Sequence, residues 1–217
     1  MYLVIILRLK NVKNASNIIK ESSYLVLEPN NYKGKWSTLF NNSNPISIEI
    51  GMGKGDFIIG MAKENPNVNF IGIEMFDSVI VRAVQKLEEI ELDNLKLIRM
   101  DANNIEDVFY KEIDTIYLNF SDPWPKNRHE KRRLTSHNLL SKYDSIFKNT
   151  KKIFQKTDNI DLFSYSIESL STYGYILKNV TLDLYNNMID GNVQTEYEKK
   201  FVNKNTKICR LEAYKDN

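Results

Sequence analysis

Four acidic side chains recur where predicted strands end, and their spacing is the first chemical signal in this sequence. Glu49, Glu74, Asp101 and Asp122 are separated by 25, 27 and 21 residues, about one strand–helix unit each. A single acid at such a place is equally well a helix cap or a solvated loop residue. Ligands of open α/β sheets bind beyond the carboxyl ends of the strands, so four acids in succession predict one acidic crevice for a cationic or hydroxyl-rich ligand.

The loop after the first predicted strand reads EIGMGKGD and carries glycines at alternate positions. Such glycines permit a tight turn and a close approach of the backbone to a ligand near a helix N-terminus. The loop is not a dinucleotide fingerprint, because Asp56 stands where a third Gly or Ala is needed, and it is not a P-loop, because Gly55 follows Lys54. An acid at the end of the second strand, Glu74, can accept both hydroxyls of a ribose.

A basic segment, LNFSDPWPKNRHEKRRLT, spans residues 118–135. Asp122 follows an apolar strand there, and two prolines constrain the turn around Trp124. A basic run is often only solvated surface, and a tryptophan is often a packing residue. Beside a reaction pocket, however, cations supply phosphate affinity and an aromatic ring can stack on a base. The five cations are Lys126, Arg128, Lys131, Arg132 and Arg133.

Two polar segments follow further along the chain, and each has two readings. Asp158, in KTDN, could accept a hydrogen bond from a base edge or cap the helix that starts near Ile160, and alone it favours the cap. In TEYEKKF, Thr195 and Glu198 have the spacing of a capping box, so this segment could be an ordinary helix start. Both segments lie where connections at the crevice edge of the sheet are expected.

Apolar runs alternate with helical periodicity from residue 46 onward, which predicts right-handed βαβ units. We therefore expect an α/β fold with a doubly wound, mostly parallel sheet and an antiparallel C-terminal edge hairpin. The predicted strands are 46–50, 69–74, 95–98, 113–120, 151–156, 175–185 and 206–214. The predicted helices are 56–64, 78–91, 104–111, 136–149 and 160–173.

Composition excludes several classes of protein. The 217 residues include one cysteine and two histidines, which argues against a disulfide framework and against a metal site of Cys or His. No apolar run reaches the roughly 20 residues of a membrane span, so a reducing, cytoplasmic compartment is expected. Net charge is +4 over residues 1–45, −8 over 46–125 and +6 over 126–217, and this partition is either scattered solvated charge or an acidic ligand site beside a polyanion surface.

The N-terminal 45 residues are predicted to be a leader and a basic arm, followed by a single domain over 46–217. The opening MYLVIIL is too short for a signal peptide and lacks a basic region before it. Residues 10–40 are polar and weakly periodic, which favours an arm or a loose helical extension.

The crevice residues resemble those of class I S-adenosylmethionine-dependent methyltransferases, whose sheet is seven-stranded and Rossmann-like. With FSDPWPKNRHEKRRL, KTDN and TEYEKKF in this order, residues 8–214 strongly resemble the bacterial tRNA (guanine-N7-)-methyltransferase family. The resemblance implies methylation of guanine N7 at position 46 in the tRNA variable loop, with no metal, no membrane, no obligate protein partner, and a monomer or homodimer. Met52 departs from the pattern, because family members usually carry a small residue there.

The resemblance also implies roles for individual residues, with Asp122 matching the position that the family treats as catalytic. Cofactor contacts fall on Glu49, Gly51, Gly53, Gly55, Glu74, Asp101, Ala102 and Asp122. Substrate contacts fall on Lys126, Asp158, Thr195, Glu196, Tyr197 and Glu198. Contacts to RNA fall on Arg128, His129, Lys131, Arg132 and Arg133.

Guanine N7 has a free lone pair, so methyl transfer to it needs neither a strong general base nor a covalent nucleophile. The sequence agrees, because Cys209 lies in a β run and neither histidine has a triad partner in view. One rival is a methyltransferase of exocyclic amines, although Pro125 follows the aromatic residue of the turn instead of preceding it. Another is a cofactor-free RNA-binding protein on a degenerate scaffold, and a nicotinamide dehydrogenase is disfavoured by the loop spacing.

Overall fold

A computed structural model describes residues 15–187, 192–196, 198 and 206–216 of the chain. The opening MYLVIIL and Tyr197 therefore lie outside the described residues. Within them, seven strands form one sheet. The strands are β1 (Ile46–Ile50), β2 (Asn69–Glu74), β3 (Leu95–Arg99), β4 (Ile113–Asn119), β5 (Lys151–Thr157), β6 (Ile176–Thr181) and β7 (Cys209–Lys215).

The sheet has the order β3-β2-β1-β4-β5-β7-β6, so the chain winds outward from β1 in both directions. The first five strands pair in parallel, and β7 lies antiparallel between β5 and β6. The predicted doubly wound sheet with an antiparallel C-terminal edge is thus confirmed. Strand β1 lies in the middle and all five of its residues are buried, as expected for a parallel strand covered on both faces.

Helices cover both faces of the sheet and create two apolar layers. In one layer, α3 (Asp56–Glu64) and α4 (Asp77–Leu87) pack on β2 and β3 through residues such as Ile58 and Val84. In the other, α6 (His137–Ile146) and α7 (Ile160–Thr172) pack on β4 and β5 through residues such as Leu139 and Phe163. The α-helices are α1 (Ala15–Glu21), α2 (Ser37–Phe40), α3 (Asp56–Glu64), α4 (Asp77–Leu87), α5 (Ile105–Val108), α6 (His137–Ile146) and α7 (Ile160–Thr172). Short 3-10 helices span Pro29–Tyr32, Ala102–Asn104 and Asn127–Arg132.

The described part of the N-terminal segment, residues 15–45, is packed against the sheet rather than loose. Ile19 is buried beside α4, and the Val26 N–H donates to the Leu97 carbonyl at 2.9 Å. The Trp36 side chain is fully buried, and its indole N–H donates to the Val108 carbonyl at 2.9 Å. A few buried side chains anchor an otherwise polar segment, and for this reason its periodicity was too weak to show the packing. The division of the chain at residue 45 stays a prediction.

Four predicted elements end three or four residues earlier in the structure than in the sequence pattern. Helix α4 stops at Leu87 instead of 91, where the Tyr24 hydroxyl donates to the Ile90 carbonyl and accepts from the Leu92 N–H. Strand β6 stops at Thr181 instead of 185, after a register shift near Asn179, whose φ is 50°. Helices α5 and α6 stop at Val108 instead of 111 and at Ile146 instead of 149. Local apolar periodicity does not mark these ends. None of the described helices is long and apolar enough to cross a membrane.

Candidate functional site

The glycine loop between β1 and α3 folds back over the end of β2. The Gly51 and Met52 N–H groups both donate to the Ile73 carbonyl, at 2.9 and 3.0 Å. Gly53 has a φ of 56°, which glycine adopts without the strain that other residues incur, and its N–H points at Glu74. A Cβ added at Gly51 or Gly53 would meet no atom within 4 Å. The loop therefore presents bare backbone to open space.

The Glu74 carboxylate is fixed by three backbone N–H groups where β2 ends. One oxygen accepts from Gly53 at 3.2 Å, and the other accepts from Met75 at 2.8 Å and Phe76 at 3.2 Å. Burial raises the pKa of Glu74, the backbone hydrogen bonds oppose that rise, and nearby Asp122 adds to it. Each carboxylate oxygen has two lone pairs, so Oε2, which accepts one hydrogen bond, can still accept another from a ligand hydroxyl.

Glu49 is almost wholly buried at the end of β1 and only half satisfied. Its Oε1 accepts from the Asn119 side-chain amide at 2.8 Å, and its Oε2 has no hydrogen-bond partner among the described residues. Burial raises the pKa of Glu49 to about 8, although the Asn119 hydrogen bond and the charge of Lys156 oppose the rise. A buried carboxylate oxygen without a partner is costly, so this position fits a donor or cation supplied by a ligand.

Three of the four predicted crevice acids interact electrostatically, since Glu74 raises the pKa of Glu49 and Asp122 raises that of Glu74. Asp122 is exposed just beyond β4. Asp101 is exposed on the neighbouring strand end, and its carboxylate accepts from the Asn103 backbone N–H at 2.8 Å, which caps the 3-10 helix that begins with Ala102. The adjacent Met100 N–H donates to the Glu74 carbonyl at 3.0 Å, so Asp101 borders the same edge of the sheet.

The turn from residue 120 to 125 carries Asp122 and has an unusual backbone. Phe120 and Trp124 have positive φ values of 50° and 42°, in a region that non-glycine residues seldom adopt. The Phe120 N–H donates to the Lys156 carbonyl, at 2.8 Å, which ties the turn to β5. Arg133 donates from its guanidinium to carbonyls of the same turn.

The cations after the turn are not equivalent. Lys126, Arg128, Lys131 and Arg132 are exposed, whereas Arg133 is half-buried. The Arg132 guanidinium lies 4.8 Å from the centre of a Trp124 ring, and the His129 ring meets that tryptophan edge-on at 5.7 Å. The basic segment therefore forms an exposed surface beside the turn, with Trp124 held between Arg132 and His129.

Strand β5 and the TEYE segment are joined by a buried ion pair. The Lys156 ammonium lies 2.7 Å from Glu198 Oε2 and also donates to the Val193 carbonyl at 2.8 Å. Glu198 accepts further hydrogen bonds from the Tyr185 hydroxyl and from the Thr195 N–H. The Glu198 N–H in turn donates to Thr195 Oγ1 at 2.8 Å, which is the capping box that the spacing allowed.

Asp158 does not cap α7. The cap is its neighbour Asn159, whose side-chain oxygen accepts from the Leu162 N–H at 2.8 Å. The interpretation of Asp158 as the cap is therefore wrong, because Asn159 and not Asp158 directly precedes the first residue of the helix, Ile160. Asp158 is half-buried at the carboxyl end of β5.

A second ion pair links the glycine loop to the TEYE segment. Lys54 Nζ lies 2.9 Å from Glu196 Oε1, and each side chain is about one third exposed. Three further residues, Lys54, Asn119 and Tyr185, contact the predicted site residues but were not predicted themselves. Asn119 has a recognisable signal, since it is a polar residue at the end of an apolar strand. The partner of Lys54 lies 142 residues further along the chain, and nothing in the sequence around Tyr185 indicates its contact with Glu198. Within the described residues, no group of three or more His, Cys, Asp or Glu side chains could hold a metal ion.

Comparison with known proteins agrees with this geometry. A family model described as "Putative methyltransferase" matches residues 43–211. A tRNA (guanine-N(7)-)-methyltransferase of Bacillus licheniformis is 52% identical over 209 residues, which cover 95% of this chain and 98% of that protein. A solved structure of an antibiotic-related methyltransferase covers 85% of this chain and 94% of its own at a TM-score of 0.64 and 17% identity, which shows a shared fold.

A phosphoethanolamine N-methyltransferase 2 of Haemonchus contortus, solved in complex with S-adenosyl-L-methionine, superposes with a TM-score of 0.52 at 11% identity. It covers 85% of this chain and 54% of its own, so it too shows the fold alone. The relative from Bacillus licheniformis matches at far higher identity and over nearly the full length of both proteins. On this evidence the chain is an enzyme of the bacterial tRNA (guanine-N7-)-methyltransferase family, with the Rossmann-like sheet of a class I methyltransferase.

Proposed function

We propose that this protein transfers a methyl group from S-adenosylmethionine to N7 of guanine 46 in the variable loop of tRNA. The observation that carries the proposal is that Glu49, Glu74 and Asp122 lie at the ends of β1, β2 and β4, where Glu74 raises the pKa of Glu49 and Asp122 raises that of Glu74. Exposed cations follow Asp122 in the chain, between residues 126 and 132. A carboxylate crevice stabilises a sulfonium cofactor, and a basic border supplies affinity for phosphates. Such an enzyme would act in the cytoplasm, as a monomer or homodimer, without an obligate protein partner.

The residues present fit the cofactor. The partnerless oxygen of Glu49 suits its cationic amino group, and Glu74 is fixed where it can accept from ribose hydroxyls. Gly51, Gly53 and Gly55 would line the methionine end, and Asp101 with Ala102 the adenine end. When bound, S-adenosylmethionine would supply an electrophilic methyl group, whose bond to sulfur would break as the bond to N7 forms, leaving the neutral thioether S-adenosylhomocysteine as the product.

Asp122 is the residue that we assign to the reacting base. Its exposed carboxylate can accept from the N1–H or the 2-amino group of guanine and hold the ring in place. The base gains positive charge as its lone pair attacks, and a fixed negative charge beside it stabilises that change. No proton has to leave before the attack, which agrees with the burial of the Cys209 thiol, whose pKa is raised by desolvation.

The residues on the substrate side form two groups, those placed to contact the substrate and those that hold the contacting segment in shape. Lys126, Asp158 and Glu196 lie at or near the surface beside the crevice and suit direct contact, as does Tyr197 by its place in the sequence. Thr195 and Glu198 are buried and hydrogen-bonded to each other, so we infer that they shape the substrate segment from beneath. Arg128, Lys131 and Arg132 are exposed and suit phosphate contact, with His129 packed on Trp124 beside them.

The test is incubation of the protein with methyl-labelled S-adenosylmethionine and total tRNA, followed by nucleoside mass spectrometry. We expect label in 7-methylguanosine, mapped by nuclease fragments to position 46. A matched tRNA transcript with adenine at position 46 should accept no label. Label in an exocyclic-amine product, or equal labelling of both transcripts, would contradict the proposal.

A further inference from the structure

Arg133 differs from the cations around it because its charged end is already engaged by the protein. Its Nε donates to the carbonyls of Pro123 and Trp124 at 3.2 and 3.3 Å, and its Nη2 donates to the Trp124 carbonyl at 3.1 Å. The guanidinium also lies 4.2 Å from the centre of the Tyr165 ring. These contacts use the Nε–H and one Nη2–H, and the Tyr165 ring covers one face of the guanidinium, so Arg133 has fewer donors left for a phosphate than an exposed arginine has.

Arg133 hydrogen-bonds to a turn whose backbone conformation has to be stabilised by contacts from other parts of the fold. Trp124 has a φ of 42°, and a non-glycine residue in that region persists only where its surroundings hold it. The carbonyls of Pro123 and Trp124 lie one and two residues after Asp122. A shift of the turn would therefore move the Asp122 carboxylate directly, because little chain separates the two.

The platform under Arg133 is itself fixed. Tyr165 belongs to α7, and its hydroxyl donates to Glu130 Oε1 at 3.0 Å, which secures the 3-10 helix between the turn and Arg133. The next residue on α7, Ser166, is hydrogen-bonded through its hydroxyl to that of Thr135 at 2.8 Å, and both are buried. The guanidinium thus contacts Tyr165 of α7 with its face and donates hydrogen bonds to the carbonyls of the turn.

We propose that Arg133 is a positioning residue, which sets the place of Asp122 through the turn and does not bind tRNA phosphates. This inference rests on the proposed function, since it assumes that Asp122 holds the guanine. It departs from the expectation that Arg133 contacts RNA together with Arg128, His129, Lys131 and Arg132. Lys131, two residues away, is exposed and has no side-chain partner among the described contacts, so it is the matched residue for phosphate binding.

The two roles leave different kinetic signatures. Loss of a positioning residue lowers kcat, because a displacement of about 1 Å can cost roughly a hundredfold in rate, while tRNA affinity and its salt dependence persist. Loss of a phosphate contact raises KM and reduces the slope of log affinity against log salt by about one.

The experiment compares Arg133→Lys and Arg133→Met with Lys131→Met, using one tRNA and several salt concentrations. We expect Arg133→Met to lower kcat by about 30- to 100-fold, with KM and the salt slope within twofold of the unmodified protein. Arg133→Lys should lower kcat less than Arg133→Met does, because an ammonium can donate to one carbonyl. It cannot donate to two carbonyls at once in the manner of a guanidinium, nor stack on the Tyr165 ring. Lys131→Met should instead raise KM and flatten the salt slope.

Tyr165 gives a second, independent readout. Tyr165→Phe retains the stacking ring and should keep most of kcat, whereas Tyr165→Leu should resemble Arg133→Met. Cofactor affinity and thermal midpoint, measured on every variant, distinguish a displaced turn from a failure to fold.

A raised KM and a flattened salt slope in Arg133→Met, with kcat unchanged, would overturn the inference. Equal losses of kcat in the Tyr165→Phe and Tyr165→Leu variants would also overturn it. If the unmodified protein forms no 7-methylguanosine at all, the proposed function fails instead, and the two failures are therefore distinguishable.

Discussion

The two sides of the crevice are built in different ways. On the cofactor side, Glu74 is held by backbone N–H groups of the glycine loop and of its own strand end, all within 23 residues of Gly53. On the substrate side, the holding contacts join side chains far apart in sequence, such as Lys156 with Glu198 and Lys54 with Glu196. The position of Glu74 is therefore a property of local chain geometry, whereas the substrate side, like the hydrogen bond from Asn119 to Glu49, depends on tertiary cross-links.

This difference predicts how each side responds to change. A site that is fixed by backbone donors depends on conformation, so substitutions of single side chains away from the carboxylates should disturb it little. A site that is fixed by side-chain pairs can lose its shape when one partner is removed.

The largest effect is expected at Asp122, where the two sides meet. Asp122→Ala should lower turnover by about 10³-fold, because it removes both the hydrogen bond to the base and the charge that stabilises the transition state. The affinity for tRNA, measured by filter binding, should change less than threefold. An equal loss of turnover and affinity would make Asp122 a binding residue, and Asp122→Asn separates the effect of charge from that of hydrogen bonding.

Breaking the buried pair on the substrate side should give the next largest effect. Lys156→Met leaves Glu198 as an unpaired buried charge, which costs about 3 kcal/mol of unfolding free energy in typical proteins. Urea denaturation measures this loss, and Lys152→Met, on the same strand but half-buried, is the control. A loss no larger than that of the control would mean that the pair does not support this side.

The cofactor side should show a pH dependence that originates in Glu49. Its pKa is about 8 in the folded chain and 4.5 as the ordinary value, so between these pH values the folded chain binds a proton that the unfolded chain does not. The free energy of unfolding should thus decrease as pH rises from 4.5 to 8. Glu49→Gln should abolish that dependence in urea denaturation at several pH values.

The same ionisation should appear in ligand binding. A cationic amino group requires Glu49 in its charged form, so affinity for S-adenosylmethionine should increase by up to roughly tenfold per pH unit between pH 6 and 7.5. Calorimetry at three pH values measures this, with Glu49→Gln as the comparison. A pH-independent affinity in the unmodified protein would show that Glu49 does not meet the cationic end of the cofactor.

The smallest effect is expected for the ion pair that bridges the two sides. Lys54 and Glu196 are each about one third exposed, and exposed pairs typically contribute about 0.2–1 kcal/mol. Lys54→Glu and Glu196→Lys should each lower kcat/KM by about three- to fivefold, and the double exchange should restore most of it. Lys63→Glu, an exposed change of the same charge on α3, is the control. Failure of the double exchange to recover activity would show that the pair does not couple the sides.

The contrast also explains what the sequence could and could not predict. The five parallel strands were placed to within one or two residues, because strands buried on both faces are continuous apolar runs between glycine and acid signals. The expectation that the strand-end acids lie at one edge of the sheet followed from the predicted topology alone. The partners of Arg133 and the pairing of Glu198 with Lys156 did not, since a charged residue in a sequence gives no sign of whether solvent, RNA or a distant group will satisfy it.

The N-terminal segment illustrates a second limit. Residues 15–45 contain many polar residues, and only a few large side chains, Trp36 among them, determine that they pack on the sheet. Periodicity averages over neighbouring residues and therefore misses isolated anchors. The same limit applies to Asn119, a single polar residue that connects β4 with Glu49.

Met52, which departs from the small residue usual at its position, has a consequence for the second strand. Its side chain is buried, and its sulfur occupies the space that a side chain on Gly72 would fill. The size of residue 52 is therefore limited by the free volume above Gly72 in β2. A larger residue at position 72 should therefore require a smaller one at position 52. Met52→Ala makes room for Gly72→Ala, whereas Gly72→Ala alone overfills the layer between α3 and the sheet.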